Sequence, residues 1–321
     1  MAVIAVDLGG TKVVSGIIND EANVRFLRKN LLNGRKGAEV GALITENIKG
    51  QISKAAYNKI KVTGIGICVP GSVDPETKRV WCPNIPGWED FPLEEVIREE
   101  IGAELEIFVD SDRSCYAYGE IWQGAGQGCN NVVVMAVGTG IGAGIVIDGR
   151  PLHGACDIIG ATGWMALEHP YDKKFDAMGC LEHYASGVGI SNCAKKMVRA
   201  NKEYDGYLRS ISNSRITTAV VFEAYEQGDP IAREVIDKAI TMWGMASANI
   251  VSLLNPEKVI WGGGVFGPAA KFIDRIYAEA LKWGQPLSMR RVKFVHNALP
   301  GSAGLLGSGY LALNHGVLPK Y

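Results

Sequence analysis

The chain has 321 residues, 47% of them hydrophobic, and 33 Lys and Arg balance 34 Asp and Glu to a formal net charge of −1. A chain of this length exceeds what one hydrophobic core usually serves, so two lobes are expected. The near-neutral balance supplies no electrostatic footprint for nucleic acid or an anionic membrane, and no apolar run reaches the ~18 residues of a membrane helix. The seven cysteines (68, 82, 115, 129, 156, 180 and 193) show no CxxC spacing and read as reduced thiols. With a charged strand-turn at the start in place of a leader, a soluble cytoplasmic protein is expected.

Three β-type runs open the chain, Val3 to Val6, Val13 to Ile18 and Val24 to Leu31, joined by "DLGGTK" and "NDEAN". Connections this short suit an antiparallel meander. A helical stretch (Ala38 to Lys54), the strand "KVTGIGICV", the turn-rich "PGSVDPETKRVWCPNIPGW", a helix from Pro92 to Ile101 and the strand "LEIFVDSD" follow. A helix through Tyr116 to Trp122 comes next, and then the pattern restarts. "NNVVVMAVGTGIGAGIVIDGRPLHG" repeats the apolar strand, the Gly/Thr turn and the second strand of "AVIAVDLGGTKVVSGIIND".

Two lobes built on one supersecondary unit would turn both glycine turns toward a common cleft. Free N–H groups in such turns form anion nests, and Thr11 and Thr139 add hydroxyl donors, so the natural guest is a polyphosphate. A third cluster, "KVIWGGGVFG", has Gly262, Gly264 and Gly267 in G-x-G-x-x-G spacing ahead of an amphipathic pattern from Pro268 to Trp283. A dinucleotide fingerprint needs an acidic residue at the end of the next strand, and "RRVKFVHNALPG" offers His296 and Asn297. The glycines could equally let backbone pack closely against a flat purine.

"FVDSDRSCYAYGE" sets Asp110 and Asp112 at a strand end that opens a helix, where side chains face a crevice. Asp112 is the candidate general base toward a hydroxyl that attacks a γ-phosphate, while Asp110 or Ser111 suits a helix cap. Asp7 is placed to hold Mg²⁺ through water. Later, "PIAREVIDKAITMWGMASANIVSLLNP" reads as a long helix stopped at Asn255-Pro256, and "SAGLLGSGYLALNHG" as a helix rich in small residues.

The segments "DLGGTK", "GICVPGSVD" with "PNIPGW", "VDSDRSCYAYGE", "GTGIGAGIVIDGRPLHGA", "GCLEHYASG" and "NPEKVIWGGGVF" resemble, in order and spacing, those of the ROK family of repressors, open reading frames and sugar kinases. The resemblance covers almost the whole chain. It implies an α/β, two-lobe actin-like ATPase (ribonuclease H-like) fold with ATP and sugar in the interlobe cleft. The first lobe would comprise residues 1–113 and 302–321, and the second 114–301. By position, Asp7, Gly9, Gly10, Thr11 and Lys12 look like the first phosphate motif, Gly138, Thr139 and Gly140 the second, and Gly262, Gly263 and Gly264 the adenosine-side motif. Asp112 falls on the family's base, Gly71 and Asn84 in its sugar-site segments, and Glu182 on a sugar-contacting glutamate. A homodimer is implied as well.

Departures from the pattern are informative. Ser111 stands where the family has asparagine, and "GATGWMALEHP" puts Ala161 and Trp164 where it has a glutamate and a histidine. The zinc motif keeps only Cys180 and Glu182, and one cysteine cannot make a four-ligand site, so no zinc is expected. An acceptor with a different or larger group than glucose at that end, such as an alkylated, deoxy, anhydro or glycosidic sugar or a cyclitol stacked on Trp164, is the expectation. The family's repressors carry an N-terminal DNA-binding domain, and with a first strand at residue 3 no such domain is expected. A catalytically idle, ligand-binding regulator of the same fold is the alternative to a kinase.

Overall fold

The computed structural model describes residues 1–315. Two compact units divide the chain, one made of Met1–Val132, Gly144–Ile159 and the segment from Ala298, the other of Val133–Ala143 and Gly160–Asn297. Among the described residues no helix is long and apolar enough to cross a membrane.

In the first unit, β1 (Ala2–Leu8), β2 (Lys12–Asn19), β3 (Val24–Leu31), β4 (Val62–Val69) and β7 (Glu106–Ser111) form a sheet of order β3-β2-β1-β4-β7. The first three strands are the expected meander, and β4 and β7 run parallel to β1. A small hairpin, β5 (Ser72–Val73) with β6 (Val80–Trp81), stands apart. The helices are α1 (Ala38–Tyr57), α2 (Leu93–Ile101) and α3 (Asp112–Gln123).

β1 is apolar on both faces because both are covered. Ile4, Val6 and Leu8 meet Val40, Ile44 and Ile48 of α1, whereas Val3 and Ala5 meet the Leu305 and Leu306 side chains. β3 is the edge strand, and its Arg25, Arg28 and Lys29 discourage further pairing.

The second sheet repeats the first. β8 (Val132–Val137), β9 (Ile141–Ile147), β10 (Arg150–Pro151), β11 (Lys258–Gly262) and β12 (Lys293–His296) stand in the order β10-β9-β8-β11-β12. Its helices are α4 (Cys180–Ala185), α5 (Gly187–Ala200), α6 (Tyr207–Ser210), α7 (Thr218–Glu226), α8 (Pro230–Leu254), α9 (Phe266–Ala269), α10 (Ile273–Ala280) and α11 (Pro286–Met289). α8 starts as the sequence implies: Asp229 accepts from the Ala232 N–H, with Pro230 in the first turn. It ends on a left-handed Asn255 before Pro256.

The pattern read as one helix from 268 to 283 is broken instead. The buried residues Phe266, Ala269 and Phe272 recur every third position and Ile276 and Ala280 every fourth. A 3₁₀ turn at Ala270–Phe272 accordingly separates α9 from α10.

The last helix, α12 (Ala303–Leu313), belongs to the first unit and explains its small residues. A Cβ on Gly307 would lie 1.8 Å from the Cys115 carbonyl oxygen of α3, and one on Gly66 of β4 would lie 1.8 Å from that of Ser308. Only glycine lets α12 lie this close to both neighbours. This contact keeps α3 with the first unit, whereas the sequence reading divides the chain at residue 113; residues 316–321 of its first lobe lie outside the described ones.

Candidate functional site

The first unit presents three adjacent strand ends. Asp7 of β1 stands opposite Cys68 of β4, and Cys68 opposite Asp110 of β7, so the carboxyl ends of three parallel strands carry the polar residues. Antiparallel pairing of β1 with β2 stops at Leu8 and Val13, leaving a turn closed by the Gly9 N–H on the Lys12 carbonyl at 2.9 Å. Gly10 and Thr11 are exposed there, and the Leu32 N–H holds the Thr11 carbonyl at 2.8 Å. Asp7 is seated against α12: a Cβ on Gly304 would come within 2.8 Å of its carboxyl carbon. Burial pushes the Asp7 carboxyl above its usual range, while the Cys68 thiol and Lys12 pull it down.

Asp112 is the first residue of α3, and Ser111 caps that helix by accepting from the Ser114 N–H. Its carboxyl is pushed up to about 6, first by burial and further by Asp7, against the pull of Arg113. A carboxyl near neutrality at a helix start can change protonation state during a reaction, which a surface aspartate at pH 7 does not do. Ser111 is buried, and its hydroxyl is engaged with Ser114, so its geometry is that of a cap.

Gly71 lies where a Cβ would meet the Trp81 carbonyl oxygen at 1.9 Å. The Arg113 guanidinium reaches the Gly71 carbonyl at 3.3 Å and those of Asp157 and Ile159 at 2.9 and 3.0 Å. Arg113, which the sequence reading passes over, thereby ties the segment after β4 to the helix that carries Asp112. Asn84 is exposed, in a turn closed by the Cys82 N–H on the Trp88 carbonyl at 2.7 Å.

In the second unit, Gly138, Thr139 and Gly140 turn β8 into β9. The N–H groups of Gly187 and Val188, at the start of α5, bond the Gly138 and Thr139 carbonyls. Glu182 of α4 accepts from the Ile141 N–H at 2.7 Å and packs where a Cβ on Gly140 or Gly163 would come within 2.8 or 2.7 Å. Burial raises its pKa, partly offset by that N–H. Gly263 has φ +89 and crosses β8 so closely that a Cβ would lie 2.4 Å from the Val137 carbonyl oxygen, while the position of a Cβ on Gly264 is open. Gly262 adjoins the Asn297 side chain. Trp164 ends a 3₁₀ turn and is 56% exposed.

Aromatic and charged side chains pack the segment around Cys180. Cys180 is buried in α4, and His183 packs edge-on against Phe175 and Tyr184. Glu168 holds this segment, paired with Lys238 and accepting from the Tyr184 hydroxyl at 2.7 Å. Lys174 lies 4.8 Å from the Phe175 ring centroid.

The strand-end carboxylates and glycine turns define a class of nucleotide- and sugar-handling folds, and the comparisons narrow it. The ROK family profile matches residues 3–315, and the chain belongs to that family. It is 32% identical over 314 residues to a glucokinase of Halalkalibacterium halodurans, covering 96% of this chain and 94% of that one. It is 28% identical over 284 residues to a xylose repressor of Caldicellulosiruptor bescii, covering 88% of this chain and 69% of the repressor. A Streptomyces griseus ROK glucokinase, solved in complex with glucose and AMPPNP, superposes with a TM-score of 0.77 at 29% identity, covering 98% of this chain and 100% of that one. The fold is therefore the two-lobe actin-like ATPase (ribonuclease H-like) class.

Proposed function

We propose that this protein transfers the γ-phosphoryl group of ATP to a hydroxyl of a sugar or sugar-like acceptor other than plain glucose. The observation that carries the reading is Asp112, a carboxyl raised to about 6 at the start of α3 and electrostatically coupled to Asp7. Kinship with glucokinases, one of them solved with glucose and AMPPNP, supports the reaction class.

Asp112 would accept the proton of the attacking hydroxyl. The turn Gly9, Gly10, Thr11 and Lys12 and the turn Gly138, Thr139 and Gly140 would hold phosphates through backbone N–H groups and the two threonine hydroxyls. Gly262, Gly263 and Gly264 would lie along the adenosine. Mg²⁺, when bound, neutralises phosphate charge; Asp7 would hold it through water. The residues fit it, because Asp7 raises the pKa of Asp112 and a cation beside them relieves that repulsion.

Gly71, Asn84, Ser111, Trp164 and Glu182 would shape the acceptor site. With Ala161 and Trp164 in place of a carboxylate and an imidazole, that end offers an exposed indole face, which suits an acceptor bearing a bulkier or less hydroxylated group. The absence of zinc from the Cys180 motif, a cytoplasmic location and a homodimer complete the proposal.

The test is ADP release with Mg-ATP against hexoses, amino sugars, anhydro and glycosidic sugars and cyclitols. Stimulation by one class identifies the acceptor. Silence across the panel, with ATP still bound, favours a regulator, a reading to which the kinship with a xylose repressor lends weight.

A further inference from the structure

Asp110, His153 and Asp157 of the first unit form a cluster that the proposed reaction does not use. Asp110 comes from the end of β7, and the other two from the segment after β10. Both carboxylates are only 5% exposed, whereas His153 keeps one side open to solvent.

The His153 Nδ1 lies 3.1 Å from the Asp157 Oδ1 and 3.8 Å from the Asp110 Oδ1. Two donors about 2.1 Å from a tetrahedral metal ion stand roughly 3.4 Å apart, so the two separations bracket that spacing. All three donor atoms fall within 4.8 Å of one another, and among the described residues this is the group of His, Cys, Asp and Glu side chains close enough to share an ion.

The far oxygens are held from behind. The Tyr118 hydroxyl donates to the Asp110 Oδ2 at 2.7 Å, and the Val73 N–H donates to the Asp157 Oδ2 at 2.9 Å. The Ser111 N–H also donates to the Asp110 Oδ1, at 2.7 Å. Fixed carboxylates of this kind are the outer support that metal ligands need.

Charge points the same way. Two nearly buried carboxylates share one half-open imidazole, while the neighbouring guanidinium of Arg113 is directed to the carbonyls of Gly71, Asp157, Ile158 and Ile159. Buried anions without a matching cation are costly. A cavity of about 620 Å³, lined by Val73, Phe108, Val109 and Leu311 as well as the cluster, gives an ion a way in.

We propose that Asp110 Oδ1, His153 Nδ1 and Asp157 Oδ1 bind one divalent transition-metal ion, with its open position toward this cavity. One imidazole with two carboxylates suits zinc-type ions better than Mg²⁺ or Ca²⁺. Such an ion would tie the end of β7, two residues ahead of Asp112, to the 153–157 segment and, through the Val73 N–H, to β5. It is separate from the Cys180 region and from the Mg²⁺ of the proposed reaction, and it does not depend on the kinase reading.

The experiment uses the full-length, untagged protein, stripped with a chelator and titrated with Zn²⁺ by calorimetry without nucleotide or sugar, with metal content read after desalting. One Zn²⁺ per chain is expected, with a raised Tm. His153→Ala should abolish retention, and Asp157→Asn, which can still accept from Val73, should weaken binding about tenfold or more. His315→Ala, at the exposed histidine beside Glu106, should change nothing. Absence of Zn²⁺ retention in the wild type, or retention unaltered in a folded His153→Ala variant, would overturn the proposal.

Discussion

Asp112→Asn separates the cost of a reactive carboxyl from its use. The Asp112 carboxyl is raised from 3.8 to about 6, with burial the first cause and Asp7 adding to it. At about 1.36 kcal/mol per pKa unit, holding it ionised at pH 8 costs the fold roughly 3 kcal/mol. The sign follows from the direction of the shift. Below ~pH 4 the group is protonated folded and unfolded and no cost exists, and the cost grows as pH rises toward the folded value and is complete above it. Asparagine is nearly isosteric and neutral, so the variant should be more stable than wild type at pH 8 by up to about 3 kcal/mol, with the gap closing toward zero near pH 4. Urea and thermal unfolding at pH 8, 6.5 and 5 read this directly. If the base assignment holds, the same variant loses about 10²- to 10⁴-fold in turnover while still binding nucleotide. Equal stabilities at pH 8, or a gap that does not narrow on acidification, would refute the electrostatic reasoning. A stabilised variant with full turnover would refute the catalytic one.

Four further outcomes are expected. For wild type, kcat/KM should rise with pH through an apparent pKa near the value of about 6 carried by Asp112, with unit slope on the acid limb; a flat profile from pH 5 to 8 would argue against that base. Gly307→Ala should destabilise by about 1–3 kcal/mol, because its Cβ would press into the Cys115 carbonyl of α3 and outweigh the helix propensity gained; urea unfolding checks it. Glu120 is fully buried and accepts from the N–H groups of Ala125, Ala298 and Leu299, so Glu120→Ala should cost about 3 kcal/mol or more in the same assay. Trp164→Ala should leave Tm within about 1 °C, since the side chain is largely exposed, and raise KM for the true acceptor; an unchanged KM would remove the stacking role.

Local pattern carried much of this protein. Alternation and short turns placed the opening meander, and the restart at "NNVVVMAVGTGIGAG" announced a second sheet whose strand order does repeat the first. Pro230 and Asn255-Pro256 bounded α8 because helix starts and stops are chemistry of adjacent residues. The motifs marked Asp7, Asp112 and the glycine turns for the same reason, each being a run of neighbours in the chain. Packing decided the rest. The break between α9 and α10 follows from the buried Phe266, Ala269 and Phe272 recurring every third residue, a spacing the amphipathic pattern hides. The assignment of α3 to the first unit rests on a carbonyl of each helix resting where the other has a glycine, Cys115 of α3 at Gly307 and Ala303 of α12 at Gly119, which only the approach of two distant segments produces. The raised pKa of Asp112 comes from desolvation and from Asp7, more than one hundred positions earlier, and the Asp110, His153 and Asp157 cluster unites residues more than forty positions apart. Caps, turns and periodicity act over a few residues and are written in order along the chain. Burial, electrostatic coupling and close helix contact depend on which remote segments the sheet and α12 bring together.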